Sequence, residues 1–148
     1  MQILDPVSLV LKQKNERIWS IAPTATVYEA LSVMAEKEIG SLVVMEGGRM
    51  VGLISERDYA RKVILRGRSS KETTVDEIMT SPAVTIDPSS SVDDAMRIMT
   101  ENRVRHLPVI DSKAAVLGIV SIGDLVKWII TSHEQTIEQL QSYIAGRS

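Results

Sequence analysis

An internal repeat constrains the fold of this chain more than any other feature of its sequence. Three segments of the first half recur in the same order in the second half, 65 positions later at first and 66 positions later after one inserted residue. The repeat pairs Val27–Met34 with Val92–Met99, Leu42–Met45 with Leu107–Ile110, and Gly52–Asp58 with Gly118–Asp124. Self-similarity of this kind indicates two tandem copies of one structural unit.

Each copy carries the same order of secondary-structure signals. An extended lead-in is followed by apolar residues at helical spacing, such as Ala30 and Met34. Two apolar runs separated by turn residues, Gly47 and Gly48 in the first copy, predict a β-hairpin. A second helix then begins near Asp58. The predicted fold class is therefore α/β (α+β), with a β-α-β-β-α unit that occurs twice.

The size of the unit suggests how the two copies are arranged. A unit of about 55–60 residues buries only a modest fraction of its surface and is marginally stable alone. We therefore expect the second unit to complete the core of the first, with the two sheets packed about a pseudo-two-fold axis. Such an arrangement leaves clefts between the units, where ligands bind in many proteins.

The repeat divides the chain into four parts. They are an N-terminal helical segment (residues 1–16), the first repeat (17–70), the second repeat (75–131) and a C-terminal helix extension (132–148).

The two flanks carry their own signals. Asp5 is expected to be an N-cap and Pro6 the first residue of a short N-terminal helix. In the C-terminal extension, the apolar stripe Ile137, Leu140 and Ile144 predicts either packing against the same chain or a subunit contact. The pattern does not choose between these two.

The composition argues against several function classes. Cysteine is absent and histidine occurs only at His106 and His133, so thiolate chemistry, a zinc site and a His-based catalytic triad lack their residues. The 17 Lys+Arg and 19 Asp+Glu give a net charge of -2, which argues against a general nucleic-acid binder. No apolar run approaches the ~20 residues of a membrane-spanning helix. We expect a cytoplasmic binding protein with no catalytic residues, no metal, and no nucleic-acid or membrane partner.

The sharpest local motif is a serine followed three residues later by an aspartate, at Ser55 and Asp58 and again at Ser121 and Asp124. This spacing is typical of a capping box, in which the two side chains satisfy free N–H groups at the start of a helix. Both copies also follow an apolar strand directly. A helix start in that position favours a phosphate, and the carboxylate can accept bonds from ribose hydroxyls. The two roles do not exclude each other.

The repeat with this motif, together with the segments Ile78–Pro82 and Arg105–Val109, resembles a pair of cystathionine β-synthase (CBS) domains, also called a Bateman module. The resemblance covers residues 15–131, and it is greatest to stand-alone bacterial proteins without a catalytic or transporter domain. It implies a regulatory module that binds AMP, ADP or ATP, and in some members NAD or S-adenosylmethionine, in two clefts between the repeats. It also implies a homodimer and a regulated protein partner whose identity is unknown.

The resemblance implies nucleotide-binding roles for particular residues. The ribose-binding acid is matched by Asp58 and Asp124, and the hydroxyl on the phosphate side by Ser55 and Ser121. The basic residues near the phosphates are matched by Arg105 and His106. The lead-in segments would hold the adenine through main-chain groups and apolar walls, at Ile18, Trp19, Ser20, Ile21, Thr80, Pro82, Val84 and Thr85.

The two clefts differ in the charge expected around them. The cleft of the first repeat would gather Arg57, Arg105 and His106, a concentration of positive charge that suits phosphates. In the cleft of the second repeat, Gly123 and Ser41 stand at the corresponding positions of Arg57 and His106. We therefore expect the first cleft to bind phosphates more strongly, and the second to take a less charged ligand or stay empty.

Three function classes compete. The leading one is a sensor in which an adenine nucleotide changes the arrangement of the repeats or subunits. The second is a structural dimerisation module with vestigial clefts, because capping explains every Ser-x-x-Asp motif. The third, a small nucleotide hydrolase, is disfavoured because the sequence has no cysteine, no Walker loop and no paired metal-binding carboxylates.

Overall fold

The computed structural model of the chain describes residues 3–132. Its elements, in chain order, are α1 (Val7–Lys14), β1 (Ser20–Ile21), α2 (Val27–Lys37), β2 (Ser41–Glu46), β3 (Arg49–Ser55), α3 (Glu56–Lys62), a 3-10 turn (Ile64–Arg66), α4 (Val75–Ile78), α5 (Val92–Asn102), β4 (His106–Ile110) and β5 (Val116–Ser121). A further helix, α6, begins at residue 122 and is described as far as residue 132. The predicted mixed α/β class is confirmed.

Each unit is built on a small sheet. In the first unit, β1 is parallel to β2, and β2 is antiparallel to β3. In the second unit, β4 and β5 are antiparallel, and Ile86 takes the place of β1 through a parallel bridge to Val109. The β2–β3 turn holds Gly47 and Gly48 at φ angles of 57° and 77°. A two-residue hairpin turn of this kind needs positive φ at both positions, which glycine adopts without strain.

Each unit has its own hydrophobic core. The first core contains Ala30 from α2 together with Leu42 and Ile54 from the sheet. The second core contains the corresponding Ala95 and Leu107. The first core is completed by Val75 and Ile78 of α4, which belong to the segment 75–131, so the second unit contributes to the first core as expected. The second core is completed by the N-terminal segment.

The N-terminal segment completes the second core. Ile3, Val7 and Val10 are all buried there, and α1 contacts the second unit as α4 contacts the first. In the second unit, the N–H of Val7 donates to Ser90 O (2.8 Å) and the N–H of Val92 donates to Asp5 O (2.9 Å). The corresponding bonds of the first unit run from the N–H of Val75 to Ala25 O and from the N–H of Val27 to Thr73 O, both at 2.8 Å. These reciprocal contacts relate the two halves as a pseudo-two-fold axis would.

The start of α1 differs from the expectation. Pro6 is the N-cap residue, with an extended backbone at ψ 146°, and not the first helical residue. Asp5 instead accepts a hydrogen bond from Nε1 of Trp128 at 3.0 Å. The carboxylate that was expected to cap α1 therefore ties the N-terminal segment to α6.

The sheet faces turned away from the cores are also covered. Val43 lies between two core residues of β2, so it points to the opposite face, and it is fully buried. Its cross-strand partner Leu53 and the corresponding Pro108 of β4 are buried as well. Arg57 of the first unit donates a hydrogen bond to the main-chain oxygen of Arg103 in the second, at 3.1 Å. The two sheets therefore meet through these faces.

Two sequence expectations fall on residues outside the described range 3–132. These are the C-terminal helix extension beyond residue 132 and its apolar stripe Ile137, Leu140 and Ile144. Within the described residues, none of the helices has the length and apolar character needed to cross a membrane.

Candidate functional site

Two clefts lie at the boundary between the units, and we name them the Asp58 cleft and the Asp124 cleft. The Asp58 cleft has a volume of about 490 Å³, which is within the ~300–1,000 Å³ typical of small-molecule sites. The Asp124 cleft is smaller, at about 200 Å³. Space alone therefore favours the Asp58 cleft as the site for a nucleotide-sized ligand.

The Asp58 cleft brings together residues that are far apart in the chain. Of the residues singled out in the sequence, it contains Ser55, Arg57, Asp58, Thr80, Arg105 and His106. The strand β3 and helix α3 of the first unit supply three of these. The segment after α4 supplies Thr80, and the turn and strand that follow α5 supply the last two. A ligand in this cleft would therefore contact both repeats.

One oxygen of the Asp58 carboxylate is used in a helix cap. Oδ2 accepts hydrogen bonds from the main-chain N–H of Ser55 at 2.9 Å and from Oγ of Ser55 at 3.0 Å. The N–H of Asp58 in turn donates to Oγ of Ser55 at 3.2 Å, which completes a capping box. The cap therefore fixes the orientation of the carboxylate.

The other oxygen, Oδ1, faces Lys62 and the segment after α4. Nζ of Lys62 lies 3.1 Å from it, and Oγ1 of Thr80 lies 3.5 Å away. Lys62 also donates to the main-chain oxygen of Ile78 at 2.8 Å. Because a capped carboxylate still has acceptor capacity on Oδ1, it can bind a ribose hydroxyl while α3 keeps its cap.

The Asp124 cleft contains Ile18, Trp19, Ser41, His106, Ser121 and Asp124. Its carboxylate forms the same cap, since Oδ2 of Asp124 accepts the N–H of Ser121 at 2.8 Å and the N–H of Asp124 donates to Oγ of Ser121 at 3.1 Å. The chemistry at the aspartate is therefore repeated, but its surroundings are not.

Lys14, the last residue of α1, forms an ion pair with Asp124 through Oδ2, the oxygen that also takes part in the cap. Its Nζ lies 2.8 Å from Oδ2 of Asp124, 2.9 Å from the main-chain oxygen of Ile119, and 3.4 Å from Oε2 of Glu16. Three acceptors match the three donors of an ammonium group. A ligand that used Asp124 would have to displace this side chain or accept it as a neighbour.

His106 lies where the two clefts approach each other and contributes to both. A Cβ atom on Gly40 would lie only 3.2 Å from its Nε2, so the glycine allows the imidazole to approach the main chain. Burial lowers the pKa of His106 below its usual value, and the cations Lys14 and Arg105 lower it further. Asp124 opposes this shift without cancelling it. The lowered pKa favours the uncharged ring, so Arg105 is the main source of positive charge in the expected basic pair.

Trp19 lies in the Asp124 cleft and packs against the first core. The ammonium of Lys37 lies 4.3 Å from the centre of its ring, and the guanidinium carbon of Arg17 lies 5.7 Å away. These cation–π contacts cover part of the aromatic surface. The ring is therefore not freely available to stack on a base.

Five of the residues expected around adenine line neither of these clefts: Ser20, Ile21, Pro82, Val84 and Thr85. The side chain of Ile21 packs against the first core and that of Val84 against the second, because each lead-in alternates between a core-facing and an outward side chain. The expectation that these two form apolar walls of a cleft stays a prediction. A main-chain role for the five remains a prediction.

The cleft residues that were not expected from the sequence include Lys14 and Arg17 in the Asp124 cleft and Arg103 in the Asp58 cleft. A signal for Lys14 was present. The apolar spacing of Val7, Val10 and Leu11 repeats that of Val75, Ile78 and Met79. The side chains of Leu11 and Met79 both abut a strand glycine, Gly118 and Gly52. Extending the repeat to this spacing would have placed the end of α1 beside the second cleft.

Residues 3–132 contain no cluster of three or more His, Asp or Glu side chains that could hold a metal ion. The chemistry on offer in both clefts is hydrogen bonding and charge.

Comparisons with known proteins agree with this architecture. The CBS domain model matches residues 14–65 and 75–131. Among curated proteins, the mitochondrial CBS domain-containing protein CBSX3 of Arabidopsis thaliana is 44% identical over 150 residues, which covers 95% of this chain and 72% of that protein.

Solved structures give the same result. A Burkholderia ambifaria protein with CBS domains has a TM-score of 0.82 and 46% identity, covering 86% of this chain and 95% of the other. A CBS-domain protein of Pyrobaculum aerophilum complexed with AMP has a TM-score of 0.72 and 25% identity, covering 81% of this chain and 89% of the other. With both repeats matched by the family model and the fold shared with these structures, the chain belongs to the CBS-domain family.

Proposed function

We propose that this chain is a regulatory module that binds an adenine nucleotide between its two CBS repeats, mainly in the Asp58 cleft. The observation that carries the proposal is the composition of that cleft. It combines a carboxylate suited to a ribose with guanidinium groups suited to phosphates, and the two repeats supply them jointly.

The geometry of Asp58 supports the ribose assignment. The cap with Ser55 fixes the carboxylate, and Oδ1 remains on the cleft side beside Thr80. A ribose diol would take the place of Lys62 as the partner of Oδ1. Since Lys62 already donates to Ile78, it would keep a hydrogen bond when it leaves the carboxylate.

The family context supports the ligand class. CBS domain pairs are regulatory modules that often bind adenine nucleotides, and the Pyrobaculum aerophilum relative is complexed with AMP. We propose that the ligand of this chain is one or more of AMP, ADP, ATP, NAD and S-adenosylmethionine.

Regulation would follow from the position of the cleft between the repeats. A nucleotide that contacts Arg57 of one repeat and Arg105 of the other favours the arrangement in which both reach it. It shifts the population of arrangements only by its difference in affinity for them. We expect a homodimer to transmit this shift to a protein partner, and light scattering should then give about twice the 16.3 kDa chain mass.

The experiment is isothermal titration of the full chain with each of the five adenosyl ligands. At least one should bind. Asp58→Asn should weaken that binding by about 10-fold or more, because hydrogen bonds to a charged group contribute about 1.5–3 kcal/mol. Asn keeps an acceptor oxygen for the cap, so the fold should be retained. Asp124→Asn should weaken binding less.

The chain offers a matched control. Asp94 forms the same capping box, with Ser91, at the start of α5 and lies in neither cleft. Asp94→Asn should therefore leave the affinity unchanged. If none of the five ligands binds, or if Asp94→Asn reduces binding as much as Asp58→Asn does, the proposal is wrong.

A structural module without a ligand is the second candidate, and one observation favours it. The pairs Ser55–Asp58 and Ser121–Asp124 both form complete reciprocal caps. Capping alone would thus explain both motifs. Under this alternative, no adenosyl ligand would raise the unfolding temperature, whereas a nucleotide at ~100 times its Kd stabilises a binding protein by about 2.7 kcal/mol.

A further inference from the structure

The Asp58 cleft carries more positive than negative charge. Five cationic side chains line it, Arg57, Arg61, Lys62, Arg103 and Arg105, against two carboxylates, Glu56 and Asp58. Burial and nearby cations lower the pKa of His106, which disfavours a positive charge on this side chain.

Part of this charge is already balanced within the protein. Lys62 and Asp58 form an ion pair at 3.1 Å, so they largely cancel. The carboxylate of Glu56 lies towards Gly40, where its Oε1 would be 3.4 Å from a Cβ on that glycine. The remaining charge is four guanidinium groups and the carboxylate of Glu56, so the cleft keeps an excess of positive charge.

These four guanidinium groups come in pairs from the two repeats. Arg57 and Arg61 lie one helical turn apart on α3, on the same face. Arg103 and Arg105 flank the turn between α5 and β4. None of the four takes part in an ion pair among residues 3–132.

Arg57 links the two pairs. One of its N–H groups donates to the main-chain oxygen of Arg103 at 3.1 Å. A guanidinium group has five N–H donors, so most of them stay available to a ligand. This bond holds the Arg57 side chain across the boundary between the repeats, next to the second pair.

The Asp124 cleft has the opposite balance. Its charged residues are Lys14 and Arg17 against Glu16, Glu38 and Asp124. The two clefts share their aspartate chemistry, and they differ in net charge and in volume.

We propose that the Asp58 cleft selects adenosine ligands that carry two or more linked phosphoryl groups over those that carry one. This inference rests on the proposed function, because it concerns the ligand of the same cleft. A phosphate monoester carries a charge of about −1.5 to −2, which together with Glu56 still leaves part of the charge of the four guanidinium groups unbalanced. The terminal diphosphate of ADP adds charge and oxygens, and the diphosphate of a dinucleotide adds oxygens alone. In both cases guanidinium groups of both repeats can form the bidentate contacts that this side chain favours.

The shared chemistry is an adenosine 5′-diphosphate group, which occurs in ADP and ATP and, within a dinucleotide, in NAD. The test is titration calorimetry of the full chain with adenosine, AMP, ADP, ATP and NAD, in buffer containing a metal chelator. We expect the tightest of ADP, ATP and NAD to bind at least about 10-fold more tightly than AMP, which is ~1.4 kcal/mol. The relative affinities of ADP and NAD distinguish a free polyphosphate from a dinucleotide.

A double variant, Arg103→Gln with Arg105→Gln, isolates the charge. Both side chains are exposed, so the fold should be kept. The variant should reduce the preference over AMP to less than about threefold while AMP affinity changes less than the affinity for the diphosphate ligand. Arg49→Gln, an exposed arginine in the β2–β3 hairpin outside the cleft, should leave the preference unchanged.

The outcomes separate the two proposals. If AMP binds with Asp58-dependent affinity as tightly as every diphosphate ligand, or if the arginine variant keeps the full preference, the selectivity is refuted and nucleotide binding stands. If no adenosyl ligand binds the wild-type chain at all, both are refuted.

Discussion

The ammonium of Lys14 lies 2.8 Å from the carboxylate of Asp124, across 110 positions of the chain. Lys14 is the last residue of the N-terminal helix, and Asp124 is the capping acid at the start of the last described helix. Their side chains are 20% and 23% exposed. This contact joins the N-terminal segment to the second repeat. It also distinguishes the Asp124 cleft from the Asp58 cleft, where Lys62 comes from the same helix as Asp58.

Removing the ammonium of Lys14 should destabilise the protein. Lys14→Met keeps most of the apolar stem and loses the bonds to Asp124 and Ile119, and we expect a loss of about 1–2 kcal/mol in the free energy of unfolding, measured by urea denaturation. In the double variant with Asp124→Asn, the two losses should not add, because the residues share one interaction.

An exposed ion pair provides the control for Lys14. Arg97 contacts Asp94 and Glu101 on the surface of α5 and is 58% exposed. Arg97→Met should change the free energy of unfolding by less than about 1 kcal/mol. Equal effects of Lys14→Met and Arg97→Met would show that the contact with Asp124 has no special role in stability.

Acid should destabilise the protein through His106. Its pKa is lowered in the folded state by burial and by Lys14 and Arg105, with Asp124 opposing. The unfolded chain, with an ordinary His pKa near ~6.5, therefore binds more protons than the folded chain below that pH. The contribution of the neutral ring is complete above about pH 7 and is lost as the pH falls through ~6.5 towards the folded pKa.

The measurement is the free energy of unfolding at pH 7.5 and pH 5.5 for the wild type and His106→Gln. The wild type should lose more stability between these two values than the variant does. Glu77, Asp87 and Asp94 have lowered pKa values through hydrogen bonds to Thr74, Ser89 and Ser91, so they affect stability only at lower pH. The same loss in both proteins would contradict the assignment to His106.

The two strand glycines should respond differently to an added methyl group. A Cβ on Gly52 would lie 2.7 Å from Sδ of Met79 and 2.9 Å from the main-chain oxygen of Thr80. That oxygen accepts the N–H of Leu53 at 3.1 Å, so it cannot move away without loss of the bond. Gly52→Ala should therefore cost about 1–3 kcal/mol in the free energy of unfolding.

At the equivalent Gly118, the nearby atoms belong only to the side chain of Leu11, with the closest at 2.8 Å. A side chain can change rotamer, so Gly118→Ala should cost less than Gly52→Ala when both are measured by urea denaturation. A larger loss for Gly118→Ala than for Gly52→Ala would contradict this. It would mean that the main chain at Thr80 moves aside more easily than the side chain of Leu11 does.

Local signals made the units predictable. Each helix start of the repeats was marked by a cap, and Thr26, Ser55, Ser91 and Ser121 all accept an N–H three residues on. The hairpin turn was marked by consecutive glycines. Such features act over a few residues, so the sequence carries them directly.

The exchange of segments between repeats was not predictable in the same way. The partners of α1 lie in the second repeat, and apolar spacing shows that a helix has a buried face without showing what covers it. The place of α1 in the second core was not foreseen for this reason. An apolar helix from the N-terminal segment supplied the surface that the second unit lacked.

The candidate site was partly predictable. Ser55, Arg57, Asp58, Arg105 and His106 were expected together and lie around one cleft. The charge of His106 was not foreseen, because it depends on burial and on Lys14, which is distant in sequence. The side chains of Ile21 and Val84 turned inward, since the facing of a short lead-in depends on its register with the neighbouring strand.

The central claim is that an adenine nucleotide binds between the repeats at Asp58. A crystal structure of the chain grown with the tightest-binding adenosyl ligand tests it most directly. We expect the ribose to lie within hydrogen-bond distance of Oδ1 of Asp58 and the phosphates to lie among Arg57, Arg61 and Arg105. A ligand found only in the Asp124 cleft, or outside both clefts, would contradict the account.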